Sequence, residues 1–331
     1  MMHYSDYLQL EKILDSQFPE SHKRGAAAHD EMLFIVIHQT YELWFKQLLH
    51  EADSIVEIMK KPALNDNSPE LQTVVHRLSR MVTIIRFLVD QIDIMETMTP
   101  MDFLDFRDML RPASGFQSVQ FKLLEARLGL RFEHRHGQEH YTSQLRAAEV
   151  ERVKAGEGGE SLLSLVNAWL ERIPFFKERD DAFWIEYREA YRKSLSDVEK
   201  DNLEYFDKIF MTEDSTANER SLTPSASRAA LFIMLYRGYP ILQLPFQLLN
   251  NLLEIDEQLS TWRYRHVNMV QRMIGTRIGT GGSSGKDYLR SALDKHYIFK
   301  DVAQLTSFLI ERSKLPKLSP DVEGKLGFSH A

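Results

Sequence analysis

Residues 31–61, EMLFIVIHQTYELWFKQLLHEADSIVEIMKK, and residues 70–98 both carry apolar side chains at helical spacing. Only the break PALNDNSP at 62–69 separates them. In the first run Phe34, His38, Tyr41, Phe45 and Leu48 share one stripe, while Leu33, Ile37 and Trp44 cover other sides, so its first half reads as buried nearly all round. In the second, Leu71, Val74, Val75, Leu78, Met81, Ile84, Ile85, Leu88, Ile92 and Met95 recur at three and four residues. Two such helices joined by so short a break must fold back on each other as an antiparallel hairpin. No period-two alternation is long enough for a sheet and no internal repeat is present, so the expected fold is all-α, one large helical domain over 1–331.

The remaining punctuation fills in that frame. Residues 4–14, YSDYLQLEKIL, form a short amphipathic segment that stops at Pro19; on spacing alone, packing on its own core is the simpler expectation. Asp30 is placed to cap the first long helix. Thr99 and Pro100 read as the cap and first-turn residue of MDFLDFRDML, which ends before Pro112. A Ser114-Gly115 turn leads to another helix, and 131–160 reads as a polar connection. Helical spacing returns in SLLSLVNAWLERI and, more weakly, across 180–210, after which 211–227 reads as a second polar connection. Leucine-rich spacing covers 229–261 with interruptions at Pro240 and Pro245, and two short amphipathic pieces follow at 286–294 and 300–312.

Composition narrows the function classes. The chain has 331 residues, 43% hydrophobic, enough for a large core, and its formal charge of -7 comes from interspersed acids and bases. No basic block is long enough to follow a phosphate backbone, so a nucleic-acid partner is not expected. Cysteine is absent, which excludes disulfides, zinc-thiolate sites, iron-sulfur clusters and thiolate-ligated or covalently attached haem; a bound haem would have to be held by His, Tyr or Met. No stretch reaches the length of a membrane span, and the start, MMHYSDYLQLEKILDSQF, lacks the pattern of a secretion signal. A cytoplasmic location is therefore expected.

Candidate chemistry gathers near the end of the leucine-rich stretch. In TWRYRHVNMVQRMIGTRIGTGGSSG, residues 261–285, Trp262, His266, Met269, Val270 and Met273 fall on one helical side, which turns His266 toward the interior. Such an imidazole is either a hydrogen-bonded core residue or a neutral metal ligand. His38 sits in the same kind of apolar stripe, and two such histidines together begin to describe a site. Arg107, in line with Phe103, Phe106 and Leu110, needs an anion if buried, from the protein or from a ligand; snorkelling over the aromatic rings is the alternative. His134, His136 and His140 lie close together but in so polar a context that a solvated connection is expected rather than a metal site. The glycine-rich loop lacks a Walker lysine and a preceding strand, so it reads as a surface loop or as a lid offering Thr280, Ser283 and Ser284 to a polar ligand.

HDEMLFIVIHQTYELWFKQLLHE, METMTPMDFLDFRDMLRPASGFQSVQFKLLE, ESLLSLVNAWLERIP and WRYRHVNMVQRMIGTRIGTGGSSG together resemble, in collinear order from Tyr4 to about Pro316, the tryptophan 2,3-dioxygenase family. The resemblance implies an all-helical, homotetrameric enzyme with haem b. It would insert both atoms of O2 across the indole C2-C3 bond of L-tryptophan, giving N-formyl-L-kynurenine in the first step of tryptophan catabolism by the kynurenine pathway. Carried over by motif, His266 matches the axial ligand of the ferrous haem iron, and His38 matches a distal histidine that hydrogen-bonds the indole N-H. Phe34 matches the aromatic wall of the indole pocket. Arg107 matches the guanidinium that grips the substrate carboxylate, and Thr280 the lid residue on the ammonium and carboxylate end. Phe103 stands where some relatives have tyrosine, so a hydroxyl contact is lost there. RPAS at 111–114 differs from the GPSS of some bacterial members, which bears on the substrate contact of Ser114. Tyr4, Tyr7 and Leu8 match residues that a neighbouring subunit lends to the pocket, so the resemblance implies that segment 1–19 is exchanged between subunits. Two other readings share the haem: a related oxygenase of a tryptophan derivative, and a non-catalytic haem-binding sensor.

Overall fold

The computed structural model describes residues 1–62, 64, 68–130, 142–173, 180–212, 220–279 and 297–327. Three short helices come first, α1 (Tyr4–Leu8), α2 (Leu10–Leu14) and α3 (Glu20–Lys23), followed by α4 (Glu31–Met59), α5 (Pro69–Met95), α6 (Pro100–Arg107) and α7 (Val119–Leu128). Next are α8 (Ala147–Glu157), α9 (Leu162–Glu171), α10 (Asp180–Ser194), α11 (Asn202–Phe206) and α12 (Pro224–Leu235). The longest helix, α13 (Gln243–Ile274), precedes α14 (Lys300–Gln304) and α15 (Pro320–Leu326). Among the described residues there is no strand, and no helix is long and apolar enough to cross a membrane.

The expected hairpin of α4 and α5 is present. Ser68 starts α5, its hydroxyl accepting the Leu71 N-H at 3.1 Å with Pro69 just behind it, where a missing N-H costs nothing. The two helices are antiparallel: Ser54 meets Arg77, and Tyr41 meets Leu88. α13 lies along α5 in the same direction, since Asn251 bonds the Val75 carbonyl, Arg86 pairs with Glu254 and Arg265 with Asp93. At 1.5 Å per residue α13 is about 48 Å long, enough to cross the main core and reach a second, smaller cluster.

That main core runs from Phe45 and Leu48 through Trp169, Trp184, Tyr187, Phe206 and Phe210 to Leu252 and Phe299. Polar side chains lock its crossings. Arg263 of α13 pairs with Glu125 of α7 at 2.6 Å, both buried, and the Asp256 carboxylate accepts the backbone N-H groups of Ile298 (3.1 Å) and Phe299 (2.5 Å). Asp301 does the same for Leu222 at 2.9 Å.

Several expectations fail here for local reasons. Asp30 makes no side-chain cap and is itself helical; the neighbouring Glu31 instead turns back to accept the N-H groups of Glu20 (2.8 Å) and Ser21 (2.9 Å). Pro245 does not interrupt the helix, because it lies in the first turn of α13, where no helical partner awaits its N-H. Residues 131–160 are not wholly a connection, since 147–157 form α8 with Val153 buried, and 211–227 ends in the first turn of α12. The first half of α4 is not buried all round: Met32, Val36 and Leu43 are exposed. The histidine trio at 134–140 and the expected piece 286–294 lie outside the described residues.

Candidate functional site

Three helices bring the sequence candidates together. α4 supplies Phe34, His38 and Tyr41; α6 supplies Phe103, Phe106 and Arg107; the last turns of α13 supply Trp262, His266, Met269 and Met273. α6 is aimed by its cap. Thr99 Oγ1 accepts the Asp102 N-H at 3.3 Å while the Asp102 carboxylate accepts the Thr99 N-H at 3.0 Å, a reciprocal pair that fixes the angle between α5 and α6. The Asp102 carboxyl is held below its usual range first by the Thr99 hydroxyl, which donates to it at 2.6 Å, and then by the Thr99 N-H.

The walls are aromatic and sulfur-bearing. Phe34 sits 4.1 Å from the His38 ring, 5.7 Å from Phe103 and 5.6 Å from Phe106, centroid to centroid. Around them pack Ala28, Ile37, Met95, Met98 and Met273, with Met269 and Leu33 partly covered. A cleft of about 650 Å³ lies beside this cluster, lined by Pro19, His22, Ala28, His29, Asp30, Met32, Leu33 and Val36; it shares Ala28 and Leu33 with the cluster but contains neither histidine of the candidate pair.

His38 on α4 lies close enough to His266 on α13 to make a proton on His266 harder to hold. His266 is pushed down to about 4, first by burial and then by His38. Burial also lowers His38, against opposing pulls from the Phe34 carbonyl and Glu42. Both rings are therefore neutral near pH 7. Nδ1 of His38 lies 2.7 Å from the Phe34 carbonyl, so in the neutral ring the proton sits on Nδ1 and donates there. Nε2 is left with a lone pair, an acceptor for an N-H donor. His38 is exposed as a residue, yet desolvation by the surrounding protein outweighs the pulls that would raise it.

Arg107 is only 4% exposed. Its Nη2 donates to the Ile278 carbonyl, just beyond the helix end where Gly275, at φ 58°, turns the chain out of α13. Its Nε is buried, and among the described residues nothing accepts from it. Of the alternatives left open by the sequence, snorkelling is thus ruled out, and the buried cation keeps one donor, Nε, without an acceptor.

Other candidates stand apart. Ser114 makes local bonds, its hydroxyl accepting the Phe116 N-H at 3.3 Å and its N-H donating to Gln117 Oε1 at 3.2 Å, so it caps the turn at 115–117. Tyr4 and Tyr7 are 72% and 70% exposed, Leu8 is half-buried, and neither α1 nor α2 contains a buried residue; packing of this segment on its own core does not occur. Thr280, with Ser283 and Ser284, lies outside the described residues. Sequence reasoning missed the Ile278 carbonyl, because a backbone acceptor leaves no residue-type signal. It also missed that Tyr41 is tied to α5, although its place three residues after His38 was a usable sign.

A model of the family described as tryptophan 2,3-dioxygenase matches residues 1–218 and 206–309. A tryptophan 2,3-dioxygenase of Bdellovibrio bacteriovorus is 42% identical over 99% of this chain and 99% of its own length. One from Alteromonas mediterranea is 44% identical over 98% and 97% of the two chains, and one from Dictyostelium discoideum 43% identical over 99% and 88%.

Proposed function

The chain belongs to the tryptophan 2,3-dioxygenase family, and from that premise we propose how its own residues carry out the haem-dependent cleavage of the indole C2-C3 bond of L-tryptophan by O2 to N-formyl-L-kynurenine. The observation that carries the reading is the buried, part-filled guanidinium of Arg107 beside an aromatic wall flanked by two neutral imidazoles. An amino acid with an indole side chain matches this set: its carboxylate answers Arg107, and its ring answers Phe34 and Phe103.

The residues fit haem b, which His266 would hold through its imidazole nitrogen. A nitrogen donor must be deprotonated to bind iron, and His266, with its proton affinity pushed down to about 4, is in that state across the working range. Met269 and Met273, on the same helix, offer apolar surface of the kind a porphyrin face needs. The haem supplies ferrous iron, through which O2 can react with a closed-shell indole.

The protein's part is to bind, orient and keep water out. Nε2 of His38 accepts the indole N-H while Nδ1 stays on the Phe34 carbonyl, so the histidine orients the ring and need not exchange a proton. Arg107 exchanges the Ile278 carbonyl for the substrate carboxylate, which couples binding to the chain leading into Thr280, the residue we assign to the ammonium and carboxylate end. Phe103 adds wall without a hydroxyl. Ser114, at the start of the turn it caps, is assigned a further substrate contact.

We also propose a homotetramer in the cytoplasm in which Tyr4, Tyr7 and Leu8 complete a neighbour's pocket. Support comes from an amphipathic segment with nothing of its own to cover it, and from the apolar cleft beside the site. Exposed Val36, Leu43, Phe87 and Ile94 on α4 and α5 offer further apolar area.

The test is to load the protein with haem, reduce it without oxygen, add L-tryptophan and then air, and identify the product by mass. Formylkynurenine is expected. A haem spectrum with no product would leave a haem-binding protein only, and turnover of a substituted tryptophan in preference to L-tryptophan would replace the substrate.

A further inference from the structure

The backbone of a helix does not fix the plane of an imidazole, because its terminal side-chain torsion is broad and two-fold. Something beside His266 must select the plane. Trp262, one turn earlier on α13, lies parallel to it at 2°, with ring centroids 5.4 Å apart. Other parts of the indole are packed by Phe121 of α7 (5.1 Å) and by Tyr41 and Phe45 of α4 (6.0 and 6.3 Å, both near edge-on). Trp262 therefore sits in a box made by three helices, with its indole N-H buried.

Tyr41 closes the box. Its hydroxyl donates to the Leu88 carbonyl at 2.9 Å, tying α4 to the middle of α5. Burial pushes this phenol up to about 12, although the nearby Trp262 indole and Arg265 pull the other way. It is thus a permanent donor at working pH. Tyr41 is three residues from His38 and Trp262 four from His266, so one contact links the helices that carry the two histidines.

We propose that Trp262 is a positioning residue that sets the ring plane of the iron-binding His266, and that Tyr41, anchored on Leu88, holds Trp262 in place. The proposal rests on the assignment of His266 as the axial ligand. An aromatic filler would affect stability alone. A positioning residue also changes the bond between imidazole and iron, and partners that orient a metal ligand are commonly worth about 10- to 100-fold in metal affinity.

The experiment uses the full chain loaded with haem and reduced, with the iron–histidine stretching band read by resonance Raman and haem loss read by transfer to an acceptor protein. Trp262→Leu is expected to displace and broaden the band and to speed haem loss about tenfold, whereas Trp262→Phe, which keeps a flat ring, restores most of the wild-type band. Tyr41→Phe removes one hydroxyl and is expected to shift the band by less while leaving the helical circular dichroism intact. Wild-type position and width of the band in both Trp262→Leu and Tyr41→Phe overturn the proposal; if Trp262→Leu does not fold, the Tyr41→Phe band decides alone. A wild-type band that survives His266→Ala removes the axial assignment itself, a failure distinct from unchanged bands in the Trp262 and Tyr41 variants.

Discussion

The main core and the small cluster at the end of α13 share α4, α5 and α13 but obey different rules. In the main core, Leu48, Ile55, Leu78, Leu252 and Ile255 are wholly buried, and carboxylates such as Asp256 are matched to backbone donors. The second cluster has few fully buried members, several methionines, a guanidinium with an empty donor and two histidines made neutral by crowding. In the main core the buried acids Glu125, Asp256 and Asp301 all have donors, whereas in the second region the buried Arg107 keeps a donor without an acceptor.

Substitutions should separate the two regions, and the largest effect belongs to the site. His266→Ala is expected to lose haem and nearly all turnover, while His38→Ala keeps haem and some turnover. Equal and complete loss of activity in both variants, read from the haem spectrum and product formation, would remove the difference in role between them.

Next in size, Leu252→Ala in the main core should cost about 2–5 kcal/mol in urea unfolding, whereas Met273→Ala in the small cluster should cost under about 2, because a flexible thioether in a looser setting leaves a smaller cavity. Equal losses would mean that the cluster is packed as tightly as the core.

Arg107→Leu is expected to raise KM for L-tryptophan roughly 100-fold, the scale of about 3 kcal/mol for a buried charged contact, while leaving the weaker reaction with tryptamine, which has no carboxylate, within a few-fold. A uniform loss with both substrates would assign Arg107 to structure rather than to recognition.

The smallest effect is on pH dependence and probes the core side. Burial raises the Asp256 carboxyl to about 6, above its usual 3.8, against the pull of Arg263 and the N-H groups of Ile298 and Phe299. Folded protein then holds a proton that unfolded chain has released, so this group adds stability as pH falls from above 6 toward 4, at most about 3 kcal/mol. Against Asp256→Asn, the wild-type urea midpoint should gain ground over that window and not above it. A difference independent of pH would show that the carboxylate is not penalised in the fold.

How far the chain could be read without coordinates depended on how local each signal was. The α4–α5 hairpin, the Thr99-Pro100 start of α6 and the His266 stripe were legible because periodicity and capping act over a few residues. The cap at Asp30 failed because its backbone is already helical rather than extended, as a capping residue needs, and Pro245 misled because a proline's effect depends on which turn it occupies.

Taken by itself, the sequence determined the all-helical class, the lengths of the principal helices and, through the family blocks, the chemistry. Only the tertiary structure decided that Arg107 is buried on the Ile278 carbonyl with a donor to spare, that Nδ1 of His38 is held by Phe34, and that Trp262 lies flat against His266. Helical period is written in neighbouring side chains, but burial, tautomer and ring plane follow from groups brought close by packing, and for the partners of Arg107 and Tyr41 those are far away along the chain.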